Sequence, residues 1–162
     1  MKKFVFSMQK MRDYKKQILE SEKNVLLGLR REKLAYEEKM NMLEQTMTDL
    51  RNSSNHDITS GTTAAKLMFY SMQMDGVKRE QTQVRYQINL TDMKIEKQRR
   101  NVVRLSQEVS GLDKLEDQQL EEYKKLLAKE NETSVEEFLS FKMSSDLSLI
   151  HISEPTRPIS IS

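Results

Sequence analysis

The chain's 162 residues are 36% hydrophobic and 32% charged, with four glycines, two prolines, no cysteine and no tryptophan, which favours helix and denies a sandwich, barrel or doubly wound sheet its turns. Five tyrosines, five phenylalanines and a mean hydropathy of −0.73 leave too little apolar surface for a compact core of this length, so an elongated all-α protein is expected. A net charge of +2, from 27 Lys and Arg against 25 Asp and Glu, lacks the one-sided excess of a nucleic-acid sleeve, and zero cysteines exclude a disulfide scaffold, a thiolate metal site and a cysteine nucleophile.

Lys2 and Lys3 are followed by no apolar stretch of signal-peptide length, and no run approaches a membrane span; a soluble cytoplasmic protein is expected. Steps of four and three from Phe4 visit Phe4, Met8, Met11, Lys15, Ile18, Glu22, Val25, Leu29, Glu32, Tyr36, Lys39, Leu43, Thr46 and Leu50, nine of fourteen apolar. This predicts a first amphipathic helix over about 4–51, with Met40 and Met47 flanking its weak end. Residues 52–63, rich in Asn, Ser and Thr and holding Gly61, predict a loop, after which Thr62 or Thr63 can cap a second helix.

That second helix is predicted over about 64–143. Steps of three and four from Leu67 reach Leu126 through eighteen positions, thirteen of them apolar, with no slip of phase; this is the 3.5-residue period of a coiled coil. Two such helices joined by one loop predict an antiparallel coiled-coil hairpin, a single domain over 1–143. Folding about the loop centre puts Phe4 opposite Gly111, and the longer second helix then overhangs with Leu112, Leu115, Leu120, Tyr123, Leu126 and Leu127 still apolar. Ser134-Val135-Glu136-Glu137 fits a capping box, so the overhang either breaks near Asn131 or runs on as one helix. Residues 144–162 lose the charge pattern and hold both prolines; they predict a disordered tail, and 149–158 resembles a translated vector or adapter segment, hence non-native.

Catalytic chemistry is not visible. His56 and His151 lack companion ligands and the glycines stand alone, so no metal, cofactor, small-molecule substrate or enzymatic activity is expected. The basic cluster Lys94, Lys97, Arg99, Arg100 and Arg104 sits inside the heptads beside Glu96 and Glu108, which reads as a solvated face rather than a nucleic-acid site. Gln81, Thr91 and Gln98 fall on the seam, where polar residues set register. Gly28, Gly76 and Gly111 mark either close approach of two backbones or soft points in the helices.

The segment Phe4-Val5-Phe6-Ser7-Met8-Gln9-Lys10-Met11-Arg12-Asp13-Tyr14 resembles the opening of the flagellar FliJ family, and Leu112-Asp113-Lys114-Leu115-Glu116-Asp117-Gln118-Gln119-Leu120-Glu121-Glu122-Tyr123-Lys124-Lys125 resembles its closing segment. Gly61-Thr62-Thr63-Ala64 is similar to the family's entry into the second helix. The resemblance covers about 1–143. It implies a non-enzymatic, cytoplasmic component of the flagellar type III export apparatus, serving motility and peripherally associated with the cell membrane at the flagellar base. The implied partners are the hexameric export ATPase, an export-gate membrane protein and export chaperones; the free chain would be a monomer. The implied pore-inserting residues are Phe4, Phe6, Met8, Met11, Tyr14, Leu112, Leu115, Leu120, Tyr123 and Leu126. A generic coiled-coil adaptor shares every feature except the end motifs, and a parallel homodimer remains the alternative architecture.

Overall fold

A computed structural model describes residues 2–153. Their backbone forms two helices, α1 (Gln9–Ser60) and the longer α2 (Ala64–Ser153), with no strand among the described residues. The expected all-α pair is therefore present, but its joints lie elsewhere. α1 runs nine residues past the expected end at Arg51, and the loop shrinks from 52–63 to 61–63. Residues that compete with helical bonding in isolation are engaged here: the Thr59 hydroxyl donates to the Asn55 carbonyl at 2.8 Å, and the Asp57 carboxylate receives Tyr70 and Lys66 of α2. Gly61, at φ 85°, ends α1 in the left-handed conformation that glycine adopts without strain. Of the two candidate caps it is Thr63 whose hydroxyl oxygen accepts the Lys66 amide, at 3.3 Å.

At the other end α1 begins at Gln9, not Phe4. Phe4, Val5 and Phe6 are weak helix formers, and the chain turns at Ser7 and Met8, where the Gln9 amide donates to the Phe6 carbonyl. α2 passes through Asn131 without a break: Thr133 and Ser134 donate their hydroxyls to the Lys129 and Glu130 carbonyls four residues back, so Ser134 does not act as a cap. Ser144–Ser153, expected in the disordered tail, continue α2. The remainder of the tail, 154–162, lies outside the described residues.

The chain packs as two units, Lys10–Ser110 and Met1–Gln9 with Gly111–Ser162. In the first, α1 and the adjoining part of α2 form an antiparallel hairpin. Leu19, Leu105 and Val109 cluster with Ile18 and Val102, and Leu26, Met47 and Val84 are buried further along. The α2 seam is the one stepped out from Leu67. The α1 seam is half displaced: Arg12, Leu19, Leu26 and Met47 are buried, whereas Met11 and Val25 are exposed. The true line is 8, 12, 15, 19, 22, 26, with the same seven-residue repeat and every second member moved by one. Charged and polar ties cross the hairpin. Lys15 meets Glu108 at 2.6 Å, Lys33 meets Asp92 at 2.7 Å, and Gln98 donates to both the carbonyl and the carboxylate of Glu22. Thr91 is the most deeply buried of its residues.

In the second unit, residues 2–8 lie along α2. The Phe4 and Tyr123 rings stand 5.6 Å apart at 50°, and the Tyr123 hydroxyl donates to the Lys2 carbonyl at 2.8 Å. Phe4 thus meets Tyr123 rather than Gly111, because the turn sits at 61–63 instead of at the centre of a longer loop. Among the described residues, no helix is long and apolar enough to cross a membrane.

Candidate partner-binding surface

Eight of the ten residues singled out from the sequence belong to the unit formed by Met1–Gln9 and Gly111–Ser162. Phe6 is 4% exposed and Phe4 is half-buried on Tyr123, so the chain itself already covers these two rings. Met8, Leu112, Leu115, Leu120 and Tyr123 are half-buried. Leu126 is 57% exposed and offers an open apolar contact. Met11 and Tyr14 belong to the Lys10–Ser110 unit, where both are exposed. The structure thus brings the amino-terminal aromatics onto the 112–126 stretch of α2 and leaves Leu126 as the accessible member.

Sequence reasoning passed over a second set. Val135, Phe138, Leu139, Phe141 and Met143 are all more than half exposed on α2. Continued in the same alternating steps past Leu126, the seam visits Glu130, Thr133, Glu137 and Ser140, and misses all five. Four polar positions in succession, together with the capping pattern at Ser134, hid an apolar set that lies off the line of the seam.

Arg99 and Arg100 both reach Glu96, at 2.9 and 3.2 Å, and the Arg99 hydrogen bonds above all hold that carboxyl down to about 2. Arg104 binds Glu108, which is held below its ordinary value chiefly by Lys15. Three of the five cations in the basic cluster are therefore already paired, while Lys94 and Lys97 border a shallow groove with Leu29, Gln98 and Asn101. At the turn, Asp57 accepts from the Tyr70 hydroxyl at 2.6 Å and Lys66 at 2.8 Å, and Lys66 foremost lowers its pKa. His56, expected in the loop, lies on α1. Among the described residues, no three His, Cys, Asp or Glu side chains gather as metal ligands. What these surfaces offer is apolar and charged contact.

A family model described as Flagellar FliJ protein matches residues 4–146. Among solved structures, one described as a YscO homologue of Chlamydia trachomatis is similar over 94% of this chain and 100% of its own, at 18% identity and a TM-score of 0.48. No curated protein sequence matches the chain.

Proposed function

Because the chain belongs to the flagellar FliJ family, a component of the flagellar export apparatus, we propose that it acts as a coiled-coil stalk of the hexameric export ATPase. In this role it enters the ring, promotes ring assembly and ATP hydrolysis, couples the ATPase to the membrane export gate and escorts export chaperones. It hydrolyses nothing itself, and it works in the cytoplasm at the inner face of the membrane. The observation that carries this reading is the fold of the amino terminus: Lys2 and Phe4 are held on Tyr123, so the first residues of the opening motif lie against the closing motif. Phe4 and Phe6 act by shaping that surface, and Leu126 is its exposed anchor. An apolar side chain at the centre of a contact carries a disproportionate share of its energy.

ATP hydrolysis by the purified export ATPase tests this reading, measured with the wild-type chain and with Leu126→Ala. Truncating an exposed leucine leaves helicity unchanged and is expected to raise the concentration for half-maximal stimulation by about tenfold, the effect of a contact worth ~1.4 kcal/mol. Stimulation identical to wild type removes Leu126 from the contact.

A further inference from the structure

Along the first part of α1 the two flanks of the buried line differ. Met11, Ile18 and Val25 follow one another at heptad spacing on one flank, and Lys16, Lys23 and Arg30 do so on the other. A helix facing a single partner needs only the narrow seam, whereas a third apolar position in each heptad belongs to a helix that packs against two. Ile18 is half-buried on the cluster of Leu19, Leu105 and Val109, but Met11 is 47% and Val25 49% exposed. The hairpin thus leaves this flank partly uncovered. Further round the helix on the same side stand Tyr14, Ser21 and Gly28, exposed and uncharged, and the run ends at Glu32.

α2 borders this flank with a different chemistry. Leu29 shares a shallow groove with Lys94, Lys97, Gln98 and Asn101, which fixes the side of α2 concerned. Followed along the helix, that side carries Lys94, Lys97, Asn101, Arg104 and Glu108. Glu108 is bonded by Lys15 and Arg104, and the Gln98 amide is spent on Glu22. Lys94 and Lys97 have no carboxylate partner among the described residues. Glu96 lies about 160° round the helix from Lys94, away from the groove. All of these residues belong to the Lys10–Ser110 unit.

We propose that the groove between 11–29 of α1 and 94–108 of α2 seats one amphipathic helix of a partner protein, its apolar stripe on Met11, Ile18 and Val25 and its carboxylates along the edge that meets Lys94, Lys97 and Arg104. The uncharged flank extends over about 18 residues of α1, roughly 27 Å, so the occupant helix has about five turns. Charge and polarity together select this occupant. A second copy brings the same cationic α2 edge, and nucleic acid suits the lysines but gains nothing from the aliphatic flank. A helix edged with carboxylates pairs both free lysines and covers Met11 and Val25 in one step. The groove lies in a different unit from Leu126 and does not rest on the ATPase contact.

The test places the photo-crosslinker p-benzoylphenylalanine at Ser21 of the full chain in the flagellated cell, with Arg30, on the opposite face of α1, as the control position. The expected result is an adduct from position 21 with a different protein, mapped to a peptide that carries Asp or Glu within one helical turn of the attachment point. Its yield should fall at least about fivefold when Lys94→Glu and Lys97→Glu are combined, since repulsion then replaces attraction along that edge. Lys94→Arg with Lys97→Arg should keep the yield, and so should Lys23→Glu with Arg30→Glu, which reverses as much charge on the other flank. Circular dichroism of each variant checks that helicity is retained. An adduct with a second copy of the chain or with nucleic acid, a partner peptide without carboxylates, a yield indifferent to reversal at 94 and 97 or equally sensitive to reversal at 23 and 30, or no adduct above the Arg30 control each overturns the proposal.

Discussion

Asp57 engages two groups of α2 at once, and the turn depends on it more than on any backbone feature beyond Gly61. Its carboxylate receives the Tyr70 hydroxyl and the Lys66 amine, which is why an Asn- and Ser-rich segment stays helical to Ser60. Asp57→Asn is expected to lower the melting temperature by a few degrees and to fray 52–60, read as faster amide exchange there; Tyr70→Phe should do the same more weakly. The pH dependence follows in sign. Asp57, Glu96 and Glu108 are held below their ordinary values by the cations beside them. Their support is complete above the ordinary carboxylate range and is lost as pH falls through the lowered values, toward about 2 for Glu96. Lys33 and Lys66 are raised by Asp92 and Asp57, and their support is lost only when pH climbs above 10.5. Thermal melts should therefore show a lower midpoint at pH 3 than at pH 7, with little change between pH 6 and pH 9. Gly28 and Gly76 answer the question their sequence positions posed. A β-carbon added at either meets nothing within 4 Å, so no backbone approaches closely there. Gly28→Ala and Gly76→Ala should each stabilise the chain by about 1 kcal/mol in denaturant titrations.

At the scale of the helices, periodicity was legible and its partner-dependent details were not. The α2 seam from Leu67 to Tyr123 could be stepped out residue by residue because its apolar positions leave little choice of phase. Along α1 two adjacent positions compete in each heptad, Met11 with Arg12 and Val25 with Leu26. Only the facing helix decides between them. Leu26→Ala should cost about 2 kcal/mol or more, as loss of a packed aliphatic side chain does. Val25→Ala, on an exposed site, should stay within about 0.5 kcal/mol; reversed values in denaturant unfolding would restore the displaced seam. Gln98 shows why the hairpin keeps polar seam positions. It spans to Glu22 as Lys15 spans to Glu108 and Lys33 to Asp92, fixing one alignment. Gln98→Leu should raise stability while loosening register, detectable as cysteine-pair cross-linking at more than one offset. The amino-terminal segment was the hardest to foresee. Its alternating phenylalanines fit a helical stripe in number, yet Phe4 is held by Tyr123 far along the chain and Phe6 is buried, and local sequence does not reveal that capture.

For the molecule as a whole, family membership points to work within the flagellar export apparatus, and the amino-terminal surface is where the contact proposed above would be made. The end motifs carried that identity from the sequence, while the part of their surface that stays open, Leu126 rather than Phe6, needed the structure. The charge ties within the hairpin unit are intramolecular, so light scattering should give a single species of 19.1 kDa over a wide concentration range. A concentration-dependent doubling would favour a parallel dimer. The central claim, that this chain promotes the export ATPase, is tested most directly by titrating the wild-type chain, ended at Met143, into the purified ATPase while recording hydrolysis and ring formation together. The account predicts that hydrolysis rises in step with hexamer formation and saturates at substoichiometric chain per ATPase subunit. An ATPase whose rate and assembly are both unchanged at saturating chain would contradict it.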